Sequence, residues 1–116
     1  MKRGDVVIVE FPYTDQQKTK KRPAVVIQAD SYNAKLTTTV VAMISGNVAV
    51  ASDPANVFVD PSNSNGQSSG LHGPSVIKCY NLFTISQNKV LRTIGKLSDA
   101  LKQKLNACLK TALEIS

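Results

Sequence analysis

The chain is short of the side chains on which most catalysis and metal binding depend. Its 116 residues include one histidine, two cysteines and eight carboxylates. His72 stands alone in GLHGPS, with neither an HExxH motif nor a second ligand nearby, and is expected to be a loop histidine without special task. Cys79 and Cys108 lie far apart in sequence and outside any CxxC or zinc spacing, which argues against a metal knuckle or a redox dithiol. Both occupy places where a small apolar residue would serve, so they are expected to be buried and inert. The acids (Asp5, Glu10, Asp15, Asp30, Asp53, Asp60, Asp99 and Glu114) show no paired spacing, which disfavours a hydrolase built on two carboxylates. A glycine-rich phosphate loop and a GxSxG elbow are both missing. No apolar run approaches the roughly 20 residues of a membrane helix. The opening MKRGDVV has neither signal-peptide nor transit-peptide character. A soluble, cytoplasmic chain with no metal and no cofactor is expected.

What the chain does have is strand-forming apolar sequence and positive charge. Apolar residues make up 42%, and a chain of this length can bury a genuine core as one domain, residues 1–116. Fourteen Lys and Arg against eight Asp and Glu leave a net charge of +6. No cation falls between Leu36 and Ile77. They gather at Lys18, Lys20, Lys21 and Arg22, and again from Lys78 to Lys110. Folding that joins the two regions would make a surface for a polyanion; the same charge could also serve solubility alone.

DVVIVEF, residues 5–11, reads as a strand ended by Pro12, and the polar residues 12–21 as a loop. PAVVIQA resumes the strand pattern at Pro23, SYNAKLT reads as a second loop, and TTVVAMI, residues 38–44, as the next strand. NVAV and NVFVD are shorter strand candidates, PSNSNGQSSG (61–70) is a long polar loop, and SVIKCYNLFTI (75–85) and VLRTI complete the strands. The period changes only at the end, where Leu101, Leu105, Cys108, Leu109 and Ala112 recur at spacings of three and four behind a Ser98–Asp99 cap. Many short strands without a βαβ rhythm predict a mainly β protein, a strongly bent antiparallel sheet or barrel with one C-terminal helix.

Two residues could carry chemistry. Arg22, in KKRPAVVIQ, precedes a proline that biases it toward extended backbone continuous with the strand. Its planar fork could grip two phosphate oxygens at the strand mouth, or simply be solvated. Ser45, in AMISGN, ends an apolar strand just before Gly46, where backbone can approach closely. If both strands end at one rim, Ser45 could hydrogen-bond whatever Arg22 holds.

Motifs along nearly the whole chain resemble the MazF/PemK family of toxins from bacterial toxin–antitoxin pairs. KRGDVVIVEF resembles the family's opening Gly-Asp-plus-strand motif, KRPAVVIQAD its RPxVVI motif, and TTTVVAMISG the next core strand with its terminal hydroxyl. GLHGPSVIKCYNLFTI resembles the late block leading to TI, and GKLSD the start of the final helix. The resemblance implies an SH3-like barrel, usually a homodimer, and metal-independent, sequence-selective cleavage of single-stranded RNA leaving a 2′,3′-cyclic phosphate. It implies a cognate antitoxin as partner. By motif position the essential arginine falls on Arg22, the active-site hydroxyl on Ser45 and the serine after the loop on Ser75. Asp15 is the candidate general base and Gln17 a candidate substrate contact, with Lys18, Lys20 and Lys21 as approach electrostatics.

The chain departs from the family pattern at Phe83, where many relatives carry an arginine before TI. An aromatic there could stack on a base or sit in the core. The loop over residues 12–21 also lacks the glycine-rich, acidic pattern of relatives. A CcdB-like toxin of the same fold that acts on DNA gyrase is the alternative reading, and a catalytically inactive nucleic-acid-binding barrel a third.

Overall fold

The computed structural model of the chain describes residues 1–12 and 19–116. Its elements are β1 (Asp5–Pro12), β2 (Thr19–Val26), α1 (Asp30–Lys35), β3 (Thr38–Ser45), β4 (Asn56–Val59), β5 (Ser75–Ser86), β6 (Val90–Lys96) and α2 (Asp99–Leu113). The strands form one six-stranded sheet in the order β4-β5-β3-β2-β1-β6. Every neighbouring pair is antiparallel. This is the mainly β, bent-sheet architecture with a terminal helix that the strand pattern predicts.

The Val-rich strands are buried on both faces, which is why they read as near-continuous apolar runs. Val6, Val25, Ala42, Ile44, Ile77 and Cys79 join Leu101 and Leu105 of α2 in one core cluster. Val7, Val9, Ala24, Val26, Val41 and Met43 form a second, with Phe11, Ile85 and Val90 packed against it. The helix starts as its sequence dictates: the Ser98 side chain accepts the Leu101 N–H at 3.2 Å, and Asp99 sits in the first turn.

The Gly4–Asp5 pair is structural. Gly4 has φ +93, its N–H donates to Val26 O at 2.8 Å, and its carbonyl accepts the Leu97 N–H at 2.9 Å. A side chain at that angle would be strained, and a Cβ would also meet the Lys102 stem. Asp5 closes the same turn by accepting the Lys2 N–H at 2.8 Å.

Three segments differ from the sequence expectation. Residues 19–21, read as the end of a loop, already belong to β2, where Thr19, Lys20 and Lys21 pair with Pro12, Phe11 and Glu10 of β1. Part of SYNAKLT forms the short helix α1, because the buried Asn33 ties it to Gln28 and Thr39 through side-chain hydrogen bonds. NVAV is a 3-10 turn at Val48–Val50 rather than a strand, capped by Asn47 accepting the Ala49 N–H at 3.1 Å. The polar loop after β4 is a loop as expected, held by its own short side chains and docked on β6: Ser69 is fully buried, and Ser68 Oγ donates to Lys96 O at 2.9 Å.

Candidate active site

The register of β2 against β3 sets the site. The two strands pair through Ala24 and Met43, Val25 and Ala42, and Val26 and Val41. Extending that register by two residues sets Arg22 opposite Ser45, the last residue of β3. Residues two apart on a strand share a face, so Arg22, Ala24, Met43 and Ser45 project the same way. The β2–β3 ladder stops at Ala24 and Met43, and beyond it lies a pocket of about 230 Å³. Arg22, Met43, Ile44, Ser45, Lys78 and Asn81 line it.

Arg22 is exposed at this mouth while its backbone is held by pairing with Val9 of β1. Pro23 fixes the extended approach on the other side. Ser45 Oγ accepts the Asn47 N–H at 3.1 Å. That contact uses an oxygen lone pair and leaves the hydroxyl proton to donate into the pocket. The lining carries two cations, two neutral polar side chains and no carboxylate. Among the described residues the ion pair is Asp99–Lys102 at 3.5 Å, remote from this lining, so no described carboxylate neutralises Arg22 or Lys78. The chemistry offered is that of an anion site with room for a phosphate group.

Lys78 and Asn81 were not among the sequence candidates, and a β-bulge explains their presence. Met43 of β3 pairs with Lys78, whereas the preceding Ala42 pairs with Leu82. Cys79, Tyr80 and Asn81 therefore have no partner on β3. In a regular strand residues 78 and 81 would point to opposite faces; the bulge turns both into the pocket. The signal available in sequence was the KCYN polar spacing of three inside a strand, which breaks the two-residue alternation.

The remaining candidates divide. Lys20 shares the sheet face of Arg22, two residues along β2, and is exposed opposite Phe11. Lys21 is exposed on the other face, opposite Glu10. Phe83 is 41% exposed and packs edge-to-face on Phe11, ring centroids 5.0 Å apart, so it is neither a core residue nor free of the protein. Ser75 is buried and donates to Gly73 O at 2.9 Å. It lines an adjoining, mostly apolar pocket with Pro23, Gly46, Leu71 and His72, rather than the pocket that Arg22 lines. Asp15, Gln17 and Lys18 lie outside the described residues. Among those described, no group of three or more His, Cys, Asp or Glu is assembled to hold a metal ion.

The cysteines are distant in sequence but adjacent in the fold. Burial pushes the Cys79 thiol up to about 12, and the neighbouring Cys108 thiol adds to it. Cys108 is half-buried on α2, its thiol donates to Asn56 O at 3.2 Å, and burial raises it as well. Neither is a thiolate at neutral pH, which fits structural rather than nucleophilic cysteines.

Fold and pocket together define a class: a small basic β protein with an arginine and a hydroxyl converging on an anion site at a strand mouth. The chain belongs to the family described as PemK-like, MazF-like toxin of type II toxin–antitoxin system, whose model matches residues 2–113. The endoribonuclease MazF6 of Mycobacterium tuberculosis is 30% identical over 105 residues, covering 90% of this chain and 88% of that protein. The endoribonuclease EndoA of Bacillus subtilis is 28% identical over 116 residues, covering 99% and 96%. Among solved structures, a mycobacterial endoribonuclease in complex with its cognate antitoxin shares the fold at TM-score 0.81 and 20% identity, with 100% and 97% of the two chains covered. The Mycobacterium tuberculosis toxin MazF-mt6 superposes at TM-score 0.76 with 26% identity, covering 97% and 98%.

Proposed function

We propose that this protein, as a single toxin domain over residues 1–116, is an endoribonuclease that cleaves single-stranded RNA in the cytoplasm. The observation that carries this reading is the convergence of Arg22 and Ser45 on one pocket without a carboxylate in a chain whose relatives are endoribonucleases. RNA brings its own nucleophile beside the phosphorus, so proximity is built into the substrate. The 2′-oxygen attacks phosphorus and loses its proton to the base, the P–O5′ bond breaks, and O5′ takes up a proton from water. A 2′,3′-cyclic phosphate and a 5′-hydroxyl remain.

The protein's task is then to stabilise charge and orient groups. Arg22 grips the phosphate oxygens and the departing O5′ through its fork; always protonated, it acts by charge and hydrogen bonding rather than by giving up its proton. Ser45 donates its hydroxyl proton to a phosphate oxygen. Asp15 is assigned as the base and Gln17 as a substrate contact on the loop before β2. Lys18, Lys20 and Lys21 draw the polyanion in, and Phe83 with Phe11 offers an edge on which a base can stack.

A cognate antitoxin with an acidic tail covers the basic face and silences the enzyme, and the active form is a homodimer. The test is incubation of single-stranded RNA with the protein in excess EDTA. Cleavage by wild type and its loss in Arg22→Ala support the reading. Equal cleavage by both, or none by wild type, rejects it. Gyrase inhibition without RNA cleavage would instead favour the CcdB-like alternative, which the endoribonuclease relatives do not support. Salt-dependent RNA binding with unchanged RNA length would indicate an inactive binding barrel.

A further inference from the structure

We propose that the apolar cavity behind the Arg22–Ser45 rim, with His72 at its mouth, holds the nucleobase next to the scissile phosphate, and that Ser75 selects a base carrying an exocyclic amino group. This rests on the ribonuclease reading and extends it to residues that the reading leaves without a task. Arg22 and Ser45 are followed by Pro23 and Gly46, and successive strand residues point to opposite faces. Pro23 and Gly46 accordingly line a second cavity, of about 360 Å³, which adjoins the anion pocket across the rim. Ile8, paired with Pro23 across β1 and β2, forms its walls together with Leu71 and Ile94. All four of these side chains are only half-buried, so apolar surface is left facing the cavity. Gly46 and Gly73 complete the lining, and a Cβ on either would meet no atom within 4 Å. The chain leaves this space open.

The two cavities divide their chemistry as a nucleotide does. The anion pocket carries Arg22 and Lys78, whereas the lining of the second contains no Lys, Arg, Asp or Glu. A nucleotide likewise joins an anionic phosphate, through one ribose, to an uncharged ring with apolar faces and a polar edge. The ring covers the exposed apolar walls, and the imidazole of the exposed His72 offers a face for stacking. Ser75 then reads the edge. Its hydroxyl proton is committed to Gly73 O at 2.9 Å, so its oxygen has only lone pairs to offer a ligand. A base that brings an amino group satisfies that oxygen. Adenine, cytosine and guanine carry one; uracil does not.

The experiment maps the cuts that wild type, Gly73→Leu, Ser75→Ala and Arg22→Ala make in a mixed-sequence single-stranded RNA pool in EDTA. Sequencing of the product ends reads the two nucleotides flanking each cut, and thermal melting of each variant verifies folding. Wild type is expected to cut on the order of tenfold less often where uracil occupies one of these positions. Ser75→Ala is expected to accept uracil there nearly as well as the other bases. Gly73→Leu, which fills the cavity, is expected to lose base preference at that position alone. A second arm takes one RNA that wild type cuts and replaces each flanking base in turn with an abasic ribonucleotide, which keeps its 2′-hydroxyl. At one position wild type is expected to slow on the order of tenfold, while Gly73→Leu cuts intact and abasic RNA equally fast. Wild type that cuts both abasic RNAs as fast as intact RNA overturns the proposal without recourse to any variant. An abasic loss as large in Gly73→Leu as in wild type overturns it too, and an unchanged uracil penalty in Ser75→Ala overturns the role of Ser75. Failure of the ribonuclease reading shows separately, as a wild type that does not cleave or an Arg22→Ala that does.

Discussion

Arg22 and Ser45 stand opposite one another two residues beyond the last paired residues of β2 and β3, and both line the same pocket. The relationship predicts unequal tolerance at the two positions. Arg22→Lys keeps the charge but loses the planar fork, so saturating cleavage of single-stranded RNA is expected to fall on the order of 100-fold. Ser45→Ala removes the hydroxyl donor and is expected to cost about as much, whereas Ser45→Thr keeps the donor and suits a strand end. Single-turnover rates of the three variants check this. An alanine at 45 with wild-type rate would mean that Ser45 only caps the Asn47 turn.

How far this site was legible follows from what is local. Arg22 and Ser45 could be found because each is marked by its own strand: one precedes a proline and an apolar run, the other ends one. Their meeting depends only on an antiparallel register of two adjacent strands. Lys78 and Asn81 escaped because their direction depends on an irregularity between β3 and β5 that alternation cannot encode. The pairing of Cys79 with Cys108 escaped for a related reason, since it needs the docking of α2 against β5. α1 was hidden because six residues are too few for a helical period, and a buried asparagine rather than an apolar stripe fixes it.

That asparagine predicts a stability effect separable from activity. Asn33 Oδ1 accepts from Thr39 Oγ1 at 2.7 Å and Gln28 Nε2 at 2.9 Å, and its Nδ2 donates to Gln28 O at 3.0 Å. Gln87 Nε2 adds bonds to the carbonyls of Asn33, Leu36 and Thr38 at 2.9, 3.0 and 3.0 Å. Asn33→Ala leaves two donors without their acceptor and is expected to destabilise by about 2–3 kcal/mol in urea unfolding. None of these residues lines the Arg22 pocket, so the cleavage rate of the folded variant is expected to stay unchanged.

The docked polar loop gives a third prediction. A Cβ at Gly95 on β6 would overlap the Ser68 carbonyl oxygen and the Ser69 carbonyl carbon. Both obstacles are backbone, so the loop must move rather than a side chain turn. Gly95→Ala is expected to cost about 2 kcal/mol, a fall in Tm on the order of 10 °C. Differential scanning calorimetry measures it, and an unchanged Tm would mean that the loop does not rest on β6 in solution.

Cys79 predicts an alkaline limit. Its folded pKa is raised, to about 12 against an ordinary 9.0, chiefly because burial disfavours the thiolate. Between those values the unfolded chain has already released the proton and the folded chain still holds it. Unfolding therefore gains from rising pH, and stability falls across the window by up to about 1.4 kcal/mol per pH unit from this group. Below pH 9 both states are protonated and the contribution is flat. Cys79→Ala leaves a small packing defect at every pH but is expected to flatten the slope, read as urea midpoints for both proteins at pH 8 to 11. Parallel slopes would show that the thiol ionises in the folded protein as readily as in the unfolded chain. The same burial predicts that Cys79 resists iodoacetamide in the native state at neutral pH and reacts once urea unfolds the chain.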